Sequence, residues 1–238
     1  MNPGNDERSA SGAPIYRHEE RTKPFSIPNH ATSNLEQIEA HVEAHIGKVE
    51  TVYHEIISDL VHIDVLFVKA TDERPYHVLV TSGVSDEPMN VPPGLEEHRR
   101  VELLIALPKD WPLTSEAMEE ENNYWPIRWL KTIGRLPHEY DTWIGWGHTI
   151  PNGDPAENIA NTNFVGFMLA PPYVLPVDFF ELKTSSDAVI KFYALIPLFQ
   201  EEMDFKLKNG SDAIEELLNE HDGGFEIDPT RPNVAKSR

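Results

Sequence analysis

The chain has 238 residues, 39% of them hydrophobic, with five tryptophans and 20 prolines, enough for a packed core in one large domain or two small ones. Forty Asp and Glu against 20 Lys and Arg leave a net charge of −20, which repels nucleic acid and anionic membrane and suits a basic partner. There is no cysteine, so disulfides, thiol nucleophiles and cysteine zinc sites are excluded.

Residues 1–31 are rich in Gly, Ser, Pro and Asn, carry four acidic and four basic side chains, and show little periodicity. They read as a flexible N-terminal arm. A helix follows, with Ser33 and Glu36 as a capping box, Leu35, Ile38, Val42 and Ile46 as its apolar stripe, and Gly47 as its stop. Alternating branched residues predict strands over 49–57, 62–68 and 77–84. The run RVELLIALP (100–108) is almost wholly apolar, which predicts an inner strand buried on both faces. Residues 115–122 read as a short acidic helix.

The stretch 125–155 holds four of the five tryptophans. Up to Arg135 it reads as a helix with Pro126 at its first position and Ile127, Leu130 and Ile133 on one face. After Leu136-Pro137 it becomes aromatic and punctuated by Gly145, Gly147 and Gly153, which predicts an extended edge segment and a turn. Strand alternation there would put Trp143 and Gly145 on one face and Ile144, Trp146 and His148 on the other; with Ile144 pointing inward, Trp146 and His148 are expected to be partly buried and Tyr140 to be the more exposed anchor. A strand over 163–172, a strand over 188–198 that runs into a helix at Pro197, that helix over 199–210 and a last helix over 211–224 complete the chain, with the acidic charge concentrated at this end. The elements do not alternate as strand–helix–strand units. The expected class is therefore α+β, a single domain with a mixed, largely antiparallel sheet packed by helices. Its expected span is 32–229, followed by a C-terminal tail over 230–238. The N-terminus lacks a signal-peptide core and no apolar run reaches the about 18 residues of a membrane span, so a soluble cytoplasmic protein is expected.

Several clusters carry possible chemistry. His41 and His45 could present two imidazoles on one helix face, but the zincin pattern fails and an exposed polar face is expected. His62 and Asp64 read as a hydrogen-bonded pair beside the core. TSGVSD (81–86) lacks the second glycine of a nucleophile elbow, so Ser85 and Asp86 read as turn residues bonding local backbone. His138, Glu139, Asp141, His148 and Asp154 gather around the tryptophans without a diagnostic spacing. They leave open a metal-assisted hydrolase built on His138 and His148. No cofactor is expected.

Taken together, YHVLVTSGVSD (76–86), RVELLIALP, the stretch 125–155, FYALIPLFQEEMDFKLKNGSDAIEELL (192–218) and FEIDP (225–229) resemble the suppressor of fused domain family in its bacterial form. The resemblance covers about residues 35–229. It implies a protein-binding module, not an enzyme. The animal member restrains a transcription factor whose short peptide adds as a strand between two domains, and this chain looks like the first of those domains only. Bacterial members are associated with toxin loci as immunity proteins or antitoxins, so a basic toxin is the partner implied, with an intracellular regulator of another protein as the alternative. The segment lining the peptide groove corresponds to Tyr140, Trp143, Trp146, Gly147, His148 and Thr149. Gly147 stands where the resemblance to the animal member leads one to expect an acidic residue, so the animal peptide's polar contact is not carried over to this chain.

Overall fold

A computed structural model describes residues 7–28, 34–221 and 224–236. Ser33 of the expected capping box, and Gly223, lie outside the described residues. Eight strands form one sheet: β1 (Val49–Tyr53), β2 (Asp64–Val68), β3 (Tyr76–Ser82), β4 (Val101–Pro108), β5 (Thr149–Pro151), β6 (Gly166–Ala170), β7 (Glu181–Lys183) and β8 (Val189–Leu198). The order is β1-β2-β3-β4-β8-β6-β5, with β7 pairing the start of β8. Every pairing is antiparallel except β4 with β8, where Val101 faces Lys191 and Leu104 faces Ala194. The α+β, mixed, mainly antiparallel expectation holds, and RVELLIALP is the central strand.

Alternation along the inner strands sends neighbouring residues to opposite faces. Leu103, Ile105 and Leu107 join Leu79, Leu195 and helix α2 (Glu121–Tyr140) in one core. Leu104 joins Val78, Val80 and Ile196 in a second, covered by α1 (Leu35–His45), α3 (Gln200–Asn209) and α4 (Ser211–Asn219). Helices on both faces explain why β4 and β8 read as continuous apolar runs.

Several boundaries depart from expectation. Helix α2 extends five residues to either side of the predicted 126–135, so Pro126 and Pro137 lie inside it. Each internal proline costs about 3 kcal/mol. Burial of Trp125, Ile127, Trp129, Leu130 and Ile133, at about 2 kcal/mol each, outweighs that. The predicted acidic helix reduces to a 3-10 turn over Ala117–Glu119. Strand β1 stops at Tyr53, and Ile56 is 97% exposed in the following loop. Pro197 lies within β8, opposite Phe167, and α3 starts only at Gln200.

The polar pairs are settled by packing. His41 and His45 do not form an exposed face: the His41 ring packs against both Phe179 and Phe192, and its Nε2 meets the Phe179 carbonyl at 3.0 Å. His62 and Asp64 are hydrogen-bonded as expected, Nε2 to Oδ1 at 2.9 Å, with His54 on the other carboxylate oxygen. Ser85 does not bond local backbone through its hydroxyl. It donates at 2.6 Å to Glu102, a fully buried carboxylate that also accepts from Thr81 Oγ1 and from the Gly83 and Ser85 amides.

Beyond residue 229 the chain re-enters the core. Arg231 forks onto the buried Glu202 with two contacts of 2.6 Å, and its guanidinium lies 4.6 Å from the Phe199 ring centre.

Candidate functional site

The candidate residues occupy the link between the end of α2 and β5. The helix ends at Asp141, which adopts the left-handed conformation (φ 50°), and Pro137 O accepts the Thr142 amide at 3.0 Å. The loop is then fixed to the segment before β4. The Asn90 amide donates to Thr142 O at 3.1 Å and its side chain to Asp141 O at 3.0 Å. At the far side the Gly147 amide donates to Leu169 O, and His148 O accepts the Leu169 amide, aligning the chain for β5.

Residues 141–148 are therefore a fixed loop and not a strand, so simple alternation fails. Gly147 has φ 79° and the His148 amide donates back to Gly145 O, which closes a turn. The turn reverses the expected exposures. Trp146, expected to be partly buried, is 51% exposed, while Tyr140 is half-buried. Ile144 is buried, as expected. Trp143 folds back over Gly145 and meets the His148 ring edge-on at 4.3 Å. A side chain at position 147 would meet Ser211 Oγ at 2.6 Å, so the glycine lets the loop seat against α4. Thr149 begins the short edge strand β5.

The six residues thus divide. Trp146 faces α4: its Nε1 donates to Glu215 Oε1 at 2.5 Å, and Tyr173 donates to the other oxygen at 3.3 Å. The two rings are T-shaped at 6.5 Å, and Tyr173 is 60% exposed. Asp212, Glu216 and Glu220 complete this cleft. Burial raises the Glu215 carboxyl above its usual value despite the two donors, and burial with the Glu215 charge pushes Tyr173 up to about 12. Tyr173 was not anticipated. Its exposure depends on β6 carrying it beside α4, which no local pattern announces.

Tyr140 and His148 lie on another part of the surface, beneath residues 7–28. His18 stacks on Tyr140 at 4.8 Å and Tyr16 lies 6.3 Å from the His148 ring. Arg17 Nη1 meets Asp154 at 2.6 Å, and Lys23 Nζ meets both Asp141 Oδ1 and His138 O at 2.6 Å. Arg21 pairs with Asp59 and lies 3.5 Å from Glu139. The carboxylates considered for chemistry are thus taken up in ion pairs with this segment.

His138 and His148 are both driven down to about 4, chiefly by burial and, for His148, also by the charge of Lys206. Among the described residues no three of His, Asp or Glu converge as a metal set. Among the same residues no helix is long and apolar enough to cross a membrane.

The comparisons agree with this architecture. The family model for suppressor of fused protein (SUFU) matches residues 59–232. A search of curated proteins returns no match. Among solved structures, a SUFU homologue from Neisseria gonorrhoeae aligns with a TM-score of 0.56 at 16% identity, over 85% of this chain and 97% of that one. A Sufu–Fu complex aligns at 0.60 and 14% identity, over 86% and 93%. Drosophila Suppressor of Fused aligns at 0.51 and 14% identity, over 74% of this chain and 43% of that one. At these identities the structural likeness speaks for the fold, while the family model covers most of the chain. The chain belongs to the suppressor of fused protein family.

Proposed function

We propose that this protein is a non-catalytic binding module that neutralises a basic protein partner, in the manner of an immunity protein or antitoxin. The observation that carries the reading is the exposed Trp146–Tyr173 pair set around Glu215 on the acidic helix α4. Aromatic side chains offer large contact area at low entropic cost and dominate binding hot spots. Carboxylates around them favour Lys or Arg of a partner and steer its approach, consistent with the net charge of −20. Family membership and the Sufu–Fu complex among similar structures support protein binding in general. The partner surface in this reading is the Tyr140–Thr149 loop. Tyr140, Trp146 and His148 provide contact, Thr149 opens the adjoining edge, and Trp143 and Gly147 hold the loop in shape.

The test is affinity capture with the native chain and with Tyr140→Ala and Trp146→Ala, followed by co-expression of the captured protein. A basic protein should bind the native chain and lose about thirtyfold in affinity in at least one variant, the equivalent of ~2 kcal/mol. Co-expression with the native chain should rescue growth that the partner alone arrests. Undiminished capture by both variants refutes the surface, and growth arrest that persists in the presence of a bound native chain refutes neutralisation.

A further inference from the structure

The part of the proposed partner surface formed by Tyr140 and His148, away from the exposed Trp146–Tyr173 pair, already carries a ligand, namely the chain's own residues 7–28. Three of the four basic side chains in that segment, Arg17, Arg21 and Lys23, reach carboxylates of the body at Asp154, Asp59 and Asp141. Two of its rings, Tyr16 and His18, lie against His148 and Tyr140. Residues 1–28 contain equal numbers of acidic and basic side chains, so the excess negative charge belongs to residues 29–238. The match is one of charge and aromatic contact.

The manner of attachment is equally informative. None of residues 7–28 is buried, and Phe25 and Ile27 remain 59% and 73% exposed. The segment therefore gains little from apolar burial. Of its ion pairs, Arg17–Asp154 is exposed, Lys23–Asp141 is exposed at the carboxylate, and Arg21–Asp59 is the most covered; exposed pairs are individually weak and are screened by salt. Such a strap holds its place chiefly because it is tethered, which gives it an effective concentration on the order of millimolar.

We propose that residues 7–28 are an exchangeable self-ligand, and that the face they cover selects an extended partner segment presenting Arg or Lys beside aromatic or imidazole rings. This rests on the reading of the Tyr140–Thr149 loop as the partner surface and adds its regulation. A partner must outcompete the tethered arm, so only a segment that binds better than Tyr16-Arg17-His18 and the following Arg21 and Lys23 gains access.

The experiment uses the full chain, native and carrying Arg17→Ala, Arg21→Ala and Lys23→Ala together, with folding checked by circular dichroism. The probe is a fluorescein-labelled synthetic peptide of residues 7–28, followed by fluorescence anisotropy at low and high salt. The triple variant should bind the probe at least tenfold more tightly than the native chain does. Added salt, or Tyr140→Ala in the variant background, should weaken that binding at least fivefold. Equal affinity for native and variant chains, no binding to a folded variant, or indifference to Tyr140→Ala each overturns the proposal. Should the triple variant misfold, Arg17→Ala with Lys23→Ala is the substitute, judged by the same criteria. Partner capture separates the two claims. A failed probe experiment with capture still abolished by Tyr140→Ala leaves the partner surface standing and removes the self-ligand. Probe binding with capture untouched by Tyr140→Ala and Trp146→Ala removes the partner surface, and with it the arm's role as a partner mimic.

Discussion

Replacing Arg231 by Ala tests whether residues past 229 belong to the folding unit. Arg231 makes two 2.6 Å contacts to Glu202, a third at 2.8 Å to Pro197 O, and covers the Phe199 ring. Glu202 is fully buried, and after the substitution it keeps only the Phe199 and Val234 amides, at 3.1 and 3.0 Å. Stranding one partner of a buried ion pair costs about 3–5 kcal/mol, because the remaining charge is left desolvated. With a urea m-value of about 3 kcal/mol/M for a chain of this size, a loss of about 4 kcal/mol lowers the unfolding midpoint by about 1.3 M. Glu202→Gln combined with Arg231→Met removes the stranded charge at similar volume, so the double variant should lose less than Arg231→Ala alone. Tryptophan fluorescence against urea, with m compared across variants, reads both quantities. A loss below about 1 kcal/mol in Arg231→Ala, or a double variant at least as unstable as the single one, refutes the reasoning.

Gly83→Ala should be more damaging than its size suggests. Its φ is 117° and a Cβ would stand 1.9 Å from His62 O, a backbone atom that cannot rotate away, so a loss of about 3 kcal/mol or more is expected in chemical denaturation. His138 and His148 titrate near 4 when folded and near 6.5 when unfolded, so the unfolded chain binds more protons between those values. Stability should fall as pH drops from about 6.5 to about 4, by up to about 3 kcal/mol per histidine, and His148→Gln should flatten that slope relative to the native chain. An unchanged slope would assign the acid lability to other groups.

The candidate segment was legible in composition but not in geometry. Tryptophan and glycine together marked 140–149 as a segment with a special backbone, and the structure fixes it there through Asn90, Leu169 and Ser211. Which of those side chains reaches solvent was not legible. Alternation presumes a strand, and the left-handed residues Asp141 and Gly147 break that premise. Glu102 is a charged residue in an apolar strand, yet its partners Thr81, Gly83 and Ser85 lie 17–21 residues away and only the β3–β4 pairing brings them together.

What the sequence by itself determined is whatever rests on local periodicity: the central position of β4, the apolar face of α2, and the mixed class with its mainly antiparallel pairing. A strand buried on both faces is apolar almost throughout, and a helix with one buried face must repeat near 3.6 residues, so these leave a trace in any window of the chain. Tertiary structure alone decided how far α2 runs through its two prolines, because packing against the sheet outweighs the local cost of proline. It also decided where residues 7–28 lie. Arg17 meets Asp154 across 137 positions and Lys23 meets Asp141 across 118. Charge attraction has no period along a chain, so nothing in the local pattern records which carboxylate a basic side chain will find.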